Sequence, residues 1–192
     1  MTKYILHGGE TGIPNENNKT FYQEWLRDFE INFVPTVLLI YFARPIEEWE
    51  QLKNQDQERL EKYTNHRAVN LIIASSDPGE LIKQLSQADI VYVRGGDINS
   101  LMSIMKPIKD QLLKILNNKT YVGSSAGVMM LAWAMRSNTT NWQTGFGLLP
   151  FNCFVHYSAE RSQDLANFKN NNLENNFPYL LISETEFVVR RY

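Results

Sequence analysis

Seven short apolar runs, rich in β-branched and aromatic residues, limit what this chain can fold into: 4–6, 36–42, 68–73, 90–93, 120–122, 179–182 and 187–189. The middle ones, such as Val37-Leu38-Leu39-Ile40, are continuous rather than alternating, the pattern of strands covered on both faces. Between them lie segments with helical spacing. Segment 18–29 is amphipathic, and 46–63 spaces Ile46, Trp49, Leu52 and Leu60 along one side. Segments 78–85 and 98–116 follow, with Pro107 starting a new helix inside the second. Strands and helices alternating in this way predict a three-layer α/β sandwich, a mostly parallel sheet flanked by helices. A length of 192 residues suits one domain, 1–192, with a sizeable core.

In a parallel sheet, ligands bind beyond the carboxyl ends of the strands. Three glycine turns follow predicted strands: His7-Gly8-Gly9, Arg94-Gly95-Gly96-Asp97 and Gly123-Ser124-Ser125-Ala126-Gly127. All three are expected at one edge. The third is a G-x-S-x-G pentapeptide, in which a serine on a sharp strand-to-helix turn is held exposed at the top of a sheet. Its small neighbours let the turn pack and let a substrate carbonyl approach. The segment 128–135 is predicted as the helix that follows, with its N-terminal N–H groups and positive dipole end aimed at Ser125.

A serine hydroxyl is a poor nucleophile until a base takes its proton, and the chain has three histidines. His66 sits in a polar loop and reads as exposed. His7 ends the first strand and reads as structural. His156 lies downstream of Ser125, in the Ser…His order of several serine hydrolases.

The remaining composition mainly excludes. A net charge of −2 gives no basis for a nucleic-acid or anionic-membrane partner. There is no signal-peptide pattern and no apolar span of ~18 residues, so a cytoplasmic protein, monomer or homodimer, is expected. The single cysteine, Cys153, excludes an intramolecular disulfide, fits a reducing compartment and reads as a packing residue. No His, Cys and carboxylate cluster has metal-ligand spacing, and neither metal nor cofactor is expected. Segment 170–176 reads as a solvated loop, while 12–19 and 138–144 are polar segments that border the site.

Taken together, the Ser125 turn, the Arg94-Gly95-Gly96-Asp97 turn and Gly147-Leu148-Leu149-Pro150 running into Val155-His156-Tyr157 resemble the dipeptidase E and cyanophycinase family of serine peptidases. The resemblance covers 1–192 in order and spacing, and it implies a flavodoxin-like fold of the class I glutamine-amidotransferase type. It carries the nucleophile to Ser125 and the general base to His156. The oxyanion donors carry to the Gly95-Gly96 turn and to the N–H of Ala126. Arg94 stands where relatives have the first glycine of that turn.

For the third member, the dipeptidase E branch implies an aspartate near Asn138-Thr139-Thr140, where the sequence has no carboxylate. The cyanophycinase branch implies Glu184, with Glu186, Glu160 and Asp164 as alternatives and a plain Ser–His dyad as another. The implied substrate is a short peptide with an aspartyl or isoaspartyl residue. Arg94, Arg136 and Arg161 are then the cations for its carboxylates, Arg94 first, with Asp97 beside it as a substrate contact or helix cap. Two competing readings remain open on sequence: a non-catalytic relative that binds a small ligand or partner, and an amidase or esterase.

Overall fold

Alternate side chains of the central apolar runs serve two different cores, and this is why those runs are dominated by apolar residues. In the computed structural model, residues 1–137, 141–170 and 176–192 are described. The chain opens with β1 (Lys3–His7), α1 (Glu16–Leu26), β2 (Thr36–Ile40), α2 (Trp49–Tyr63), β3 (Asn70–Ile73) and α3 (Pro78–Gln87). It continues with β4 (Ile90–Val93), α4 (Ile98–Met105), α5 (Lys109–Ile115), β5 (Thr120–Ser124) and α6 (Ala126–Met129). It ends with β6 (Ala134–Arg136), β7 (Gln143–Thr144), β8 (Asn152–Val155), α7 (Ser162–Asn170), β9 (Tyr179–Ile182) and β10 (Phe187–Arg191).

The large sheet has the order β10-β1-β5-β4-β2-β3, parallel except for β10, which runs antiparallel to β1. Ile5, Val37, Leu39, Ile90, Tyr92 and Val122 pack on one face with Phe21 and Trp25 of α1 and Leu60 of α2. Tyr4, Leu6, Leu38, Ile40, Val91 and Tyr121 face the other way, against α3 to α6. The α/β expectation is met by this mixed, mostly parallel sheet between helical layers. Helix starts follow their caps: Asn15, Asp77 and Asp97 each accept from the amide three residues on, at 2.8, 2.9 and 2.6 Å. Pro107 sits in a 3-10 turn, Lys106–Ile108, that separates α4 from α5. No helix among the described residues is long and apolar enough to cross a membrane.

Two features depart from expectation. One predicted sheet becomes two, because β9 joins a second sheet of order β7-β6-β8-β9 in which β6, β8 and β9 are parallel. Its inner face, with Met135, Cys153, Val155 and Ile182, continues the core that holds α6. Phe154 on its outer face packs with Phe168 of α7. The helix expected over 128–135 stops at Met129. The Gly145–Leu149 segment takes its place: Phe146, Gly147 and Leu149 donate their amides to the carbonyls of Met130, Ala132 and Leu131 at 2.8, 3.0 and 3.0 Å. Those carbonyls would otherwise serve the next helical turn. Parts of two expected loops, 138–140 and 171–175, lie outside the described residues.

A Cβ at Gly145 would stand 2.3 Å from Ala132 O and 2.5 Å from Met129 O. Gly145→Ala is therefore expected to destabilise the fold by about 2 kcal/mol through overpacking against fixed backbone. A denaturant midpoint unchanged from the parent would contradict this account of why α6 is short.

Candidate active site

Topology brings the turns together before any side chain is considered. β1, β2, β4 and β5 are parallel, so their carboxyl ends leave the large sheet at one edge. β10 is antiparallel to β1 with His7 opposite Phe187, so the turn before β10 reaches the same edge. In the small sheet Val155 pairs with Ile182, and His156 and Glu184 lie just beyond these strand ends. A cavity of about 690 Å³ opens there, and Gly9, Arg44, Gly96, Ser125, His156 and Glu184 are among its lining residues.

Ser125 has φ 47° and ψ −100°, a conformation that L residues rarely adopt and that costs on the order of 1–3 kcal/mol. Its surroundings hold it there. Its amide donates to His7 O at 2.9 Å, and its carbonyl accepts from the amides of Val128 and Met129 at 2.9 and 3.0 Å. A Cβ at Gly127 would sit 2.5 Å from Val93 O, and one at Gly123 would sit 2.8 Å from the Gly127 carbonyl carbon. Both glycines of the pentapeptide are therefore required by packing.

Ser125 Oγ lies 2.9 Å from His156 Nε2, and His156 Nδ1 lies 3.2 Å from Glu184 Oε1. An ionised carboxylate only accepts, so Nδ1 carries the ring proton and Nε2 is left to accept from the serine hydroxyl. His156 also has positive φ, 52°, and its amide donates to Gly8 O at 3.3 Å. The imidazole packs against Gly9, where a Cβ would be 2.1 Å from Cε1. Across the serine, Gly95 is so close that a Cβ would meet Ser125 Cβ at 3.0 Å. The amides of Gly96 and Ala126 have no acceptor among the described residues.

The other sequence candidates lie elsewhere. Glu186 and Glu160 are exposed, and neither has a contact to His156. Asp164 accepts from Arg161 Nε at 2.9 Å and pairs with Arg136 at 3.1 Å, on the outer side of the small sheet. Arg94 lines the cavity, but its Nη1 donates to the fully buried Asp56 Oδ2 at 2.7 Å, so its charge is balanced inside the protein. Tyr41 Oη donates to the same carboxylate oxygen at 2.8 Å. Asp97 caps α4, and the Ser100 amide holds its carboxyl below the usual carboxylate range. The register at Asn138-Thr139-Thr140 lies outside the described residues.

Sequence reasoning missed two charged residues of the cavity, Glu10 and Arg44, which have no ion-pair partner among the described residues. Glu10, like Ser125 and His156, has positive φ, 57°. Their signal was positional: each stands just past the carboxyl end of a parallel strand.

His7 is buried and structural. Its Nδ1 accepts from the Gly9 amide at 3.1 Å, so its Nε2 bears the proton and donates to Asn18 Oδ1 at 2.8 Å. Burial pushes its imidazole down to about 4. Unfolded, the same ring titrates near 6.5, so between about pH 6.5 and 4 the unfolded chain holds a proton that the native one does not. His7 therefore makes stability fall as pH drops through that window, by about 1.4 kcal/mol per pH unit. Denaturant unfolding at pH 7, 6, 5 and 4 is expected to show this slope, and His7→Gln is expected to lose it. Equal slopes for the two proteins would refute a buried neutral His7.

The profile of Peptidase family S51 matches residues 5–191. No curated protein matches the chain. Among solved structures, a peptidase from an acI-B1 Actinobacterium superposes with a TM-score of 0.68 at 17% identity, over 99% of this chain and 83% of that one. A putative peptidase E protein from Listeria monocytogenes EGD-e gives a TM-score of 0.64 at 16% identity, over 100% and 99%. At such identities the structural likeness speaks for the fold, while the profile match spans nearly every residue from the first strand to the last. The chain belongs to peptidase family S51 and is a serine-type peptidase.

Proposed function

We propose that this peptidase cleaves short peptides, dipeptides of the peptidase E kind with an acidic residue, through an acyl-enzyme on Ser125. The observation that carries the reading is the 2.9 Å approach of Ser125 Oγ to His156 Nε2, with Glu184 behind the ring. Ser125 Oγ attacks the scissile carbonyl carbon while Nε2 takes its proton. The carbonyl oxygen becomes an oxyanion, held by the amides of Gly96 and Ala126. His156 then gives its proton to the leaving amine, and a water molecule, deprotonated by the same ring, releases the acyl group.

Charge placement supports the substrate class. Arg94, Arg136 and Arg161 are each paired with a carboxylate of the protein. Arg44 is a cavity guanidinium without such a partner, suited to a substrate carboxylate, and Glu10 supplies a carboxylate for a substrate ammonium. A cavity of about 690 Å³ suits a ligand of a few residues.

A fluorophosphonate reagent tests the mechanism, because it labels only an activated serine. The parent is expected to be labelled at Ser125, and Ser125→Ala to be neither labelled nor active on a dipeptide panel. Losing a buried tautomer-fixing carboxylate costs about four orders of magnitude elsewhere. The Glu184 side chain is 49% exposed, so Glu184→Gln is expected to slow labelling by nearer about 10²-fold. Aspartyl dipeptides are expected to be cleaved at least about tenfold faster than alanyl ones, the worth of one charge-assisted hydrogen bond. An unlabelled parent would favour the non-catalytic reading instead.

A further inference from the structure

The backbone of the Arg94–Asp97 turn is pinned at both ends by the segment after β2. Arg94 N–H donates to Ile40 O at 3.1 Å, and Asp97 N–H donates to Ala43 O at 2.9 Å. Between these anchors lies the Gly95–Gly96 peptide. Its carbonyl, Gly95 O, accepts from Arg44 Nε at 2.8 Å, while its Gly96 N–H has no acceptor among the described residues. The peptide is trans, so its C=O and N–H leave opposite edges of one plane. Holding the oxygen fixes the direction of the hydrogen.

A peptide between two glycines is the easiest kind to flip. Rotation of the plane changes only the ψ of Gly95 and the φ of Gly96, and neither residue has a Cβ to resist it. Gly96 already has φ 153°, and a Cβ there would stand 2.2 Å from Ala43 O and 3.0 Å from Arg44 Nε. A flip would exchange the two edges and turn a carbonyl toward the place where negative charge develops. Arg44 itself is anchored, because its carbonyl accepts from Trp49 Nε1 at 3.1 Å and its amide donates to Tyr41 O at 2.8 Å.

We propose that Arg44 is a positioning residue of the oxyanion hole: its Nε–H holds the Gly95 carbonyl and so keeps the Gly96 N–H turned out as a donor. The proposal rests on the reading of Ser125 as nucleophile. It goes beyond that reading by making the guanidinium act on the rate of every substrate, acidic or neutral.

The test uses the full chain and reagents without a carboxylate: a neutral fluorophosphonate and p-nitrophenyl butyrate. Arg44→Ala is expected to slow phosphonylation and to lower kcat on the ester by about 10²-fold, the size seen when an oxyanion donor is lost, with KM within about threefold. Methylguanidinium added to Arg44→Ala is expected to recover part of the rate saturably. Arg44→Gln, which keeps a side-chain N–H donor, is expected to fall between Arg44→Ala and the parent. Thermal unfolding of each variant checks that the fold is intact.

If the parent is labelled and both variants react with these neutral reagents at the parental rate, Arg44 is at most a substrate contact and the proposal is overturned. If the parent itself is not labelled, the nucleophile reading fails, and the positioning role fails with it.

Discussion

Three successive peptide groups at the end of β1 hold the candidate site together. His7 O receives the amide of Ser125, Gly8 O receives that of His156, and Gly9 O receives that of Thr185, while the Gly8 amide donates to Glu186 O. Successive carbonyls of one strand end thus fix the serine, the histidine and the turn that carries Glu184. The two glycines are sterically necessary. A Cβ on Gly8 would fall 2.1 Å from Ser183 O, and one on Gly9 would fall 2.1 Å from the imidazole. Beneath them, His7 locks the same loop from inside through the Gly9 amide, and Asn18 ties it to α1. A neutral imidazole is needed there, because a second ring proton would face the Gly9 N–H.

On the other side of the serine, two arginines divide the work. Arg94 looks inward to Asp56, which also accepts from Tyr41 and pairs with Arg59 at 3.2 Å. A buried ion pair of this kind adds little net stability, but each member fixes the place of the other. The Arg94 side chain thus leaves the turn and finds a buried carboxylate of α2. Arg44 stays at the surface, with one N–H committed to the turn and the rest of its fork facing the cavity.

Much of this was legible in the sequence, for definite reasons. The central parallel strands β2 and β4 were legible as nearly continuous apolar runs, because burial on both faces leaves little room for polar positions. Ser125 was legible because a strained turn needs small residues at fixed offsets, and His156 because few histidines competed for its role. Glu184 could be reached only through the resemblance, since nothing local distinguishes it from Glu186 two residues on. The small sheet stayed hidden. Its strands are two to four residues long, and Asn152–Val155, which forms β8, is not among the predicted strands. The end of α6 was equally illegible, because Val128 to Met135 has good helical composition and the carbonyls there are claimed by residues distant in sequence. Arg44 and Glu10 required knowing which loops converge, which is a property of topology and not of composition.

The division into two sheets has a mechanical consequence. Ser125 rides on the large sheet, whereas His156 and Glu184 ride on the small one, and the Gly8–Gly9 bonds are the hinge pin between them. A slip of an ångström at this joint would open the gap across which the proton must pass, and it would also shear the one core that the two sheets share. The packing that resists unfolding therefore also holds the serine and the histidine within reach of each other, and loosening one loosens the other.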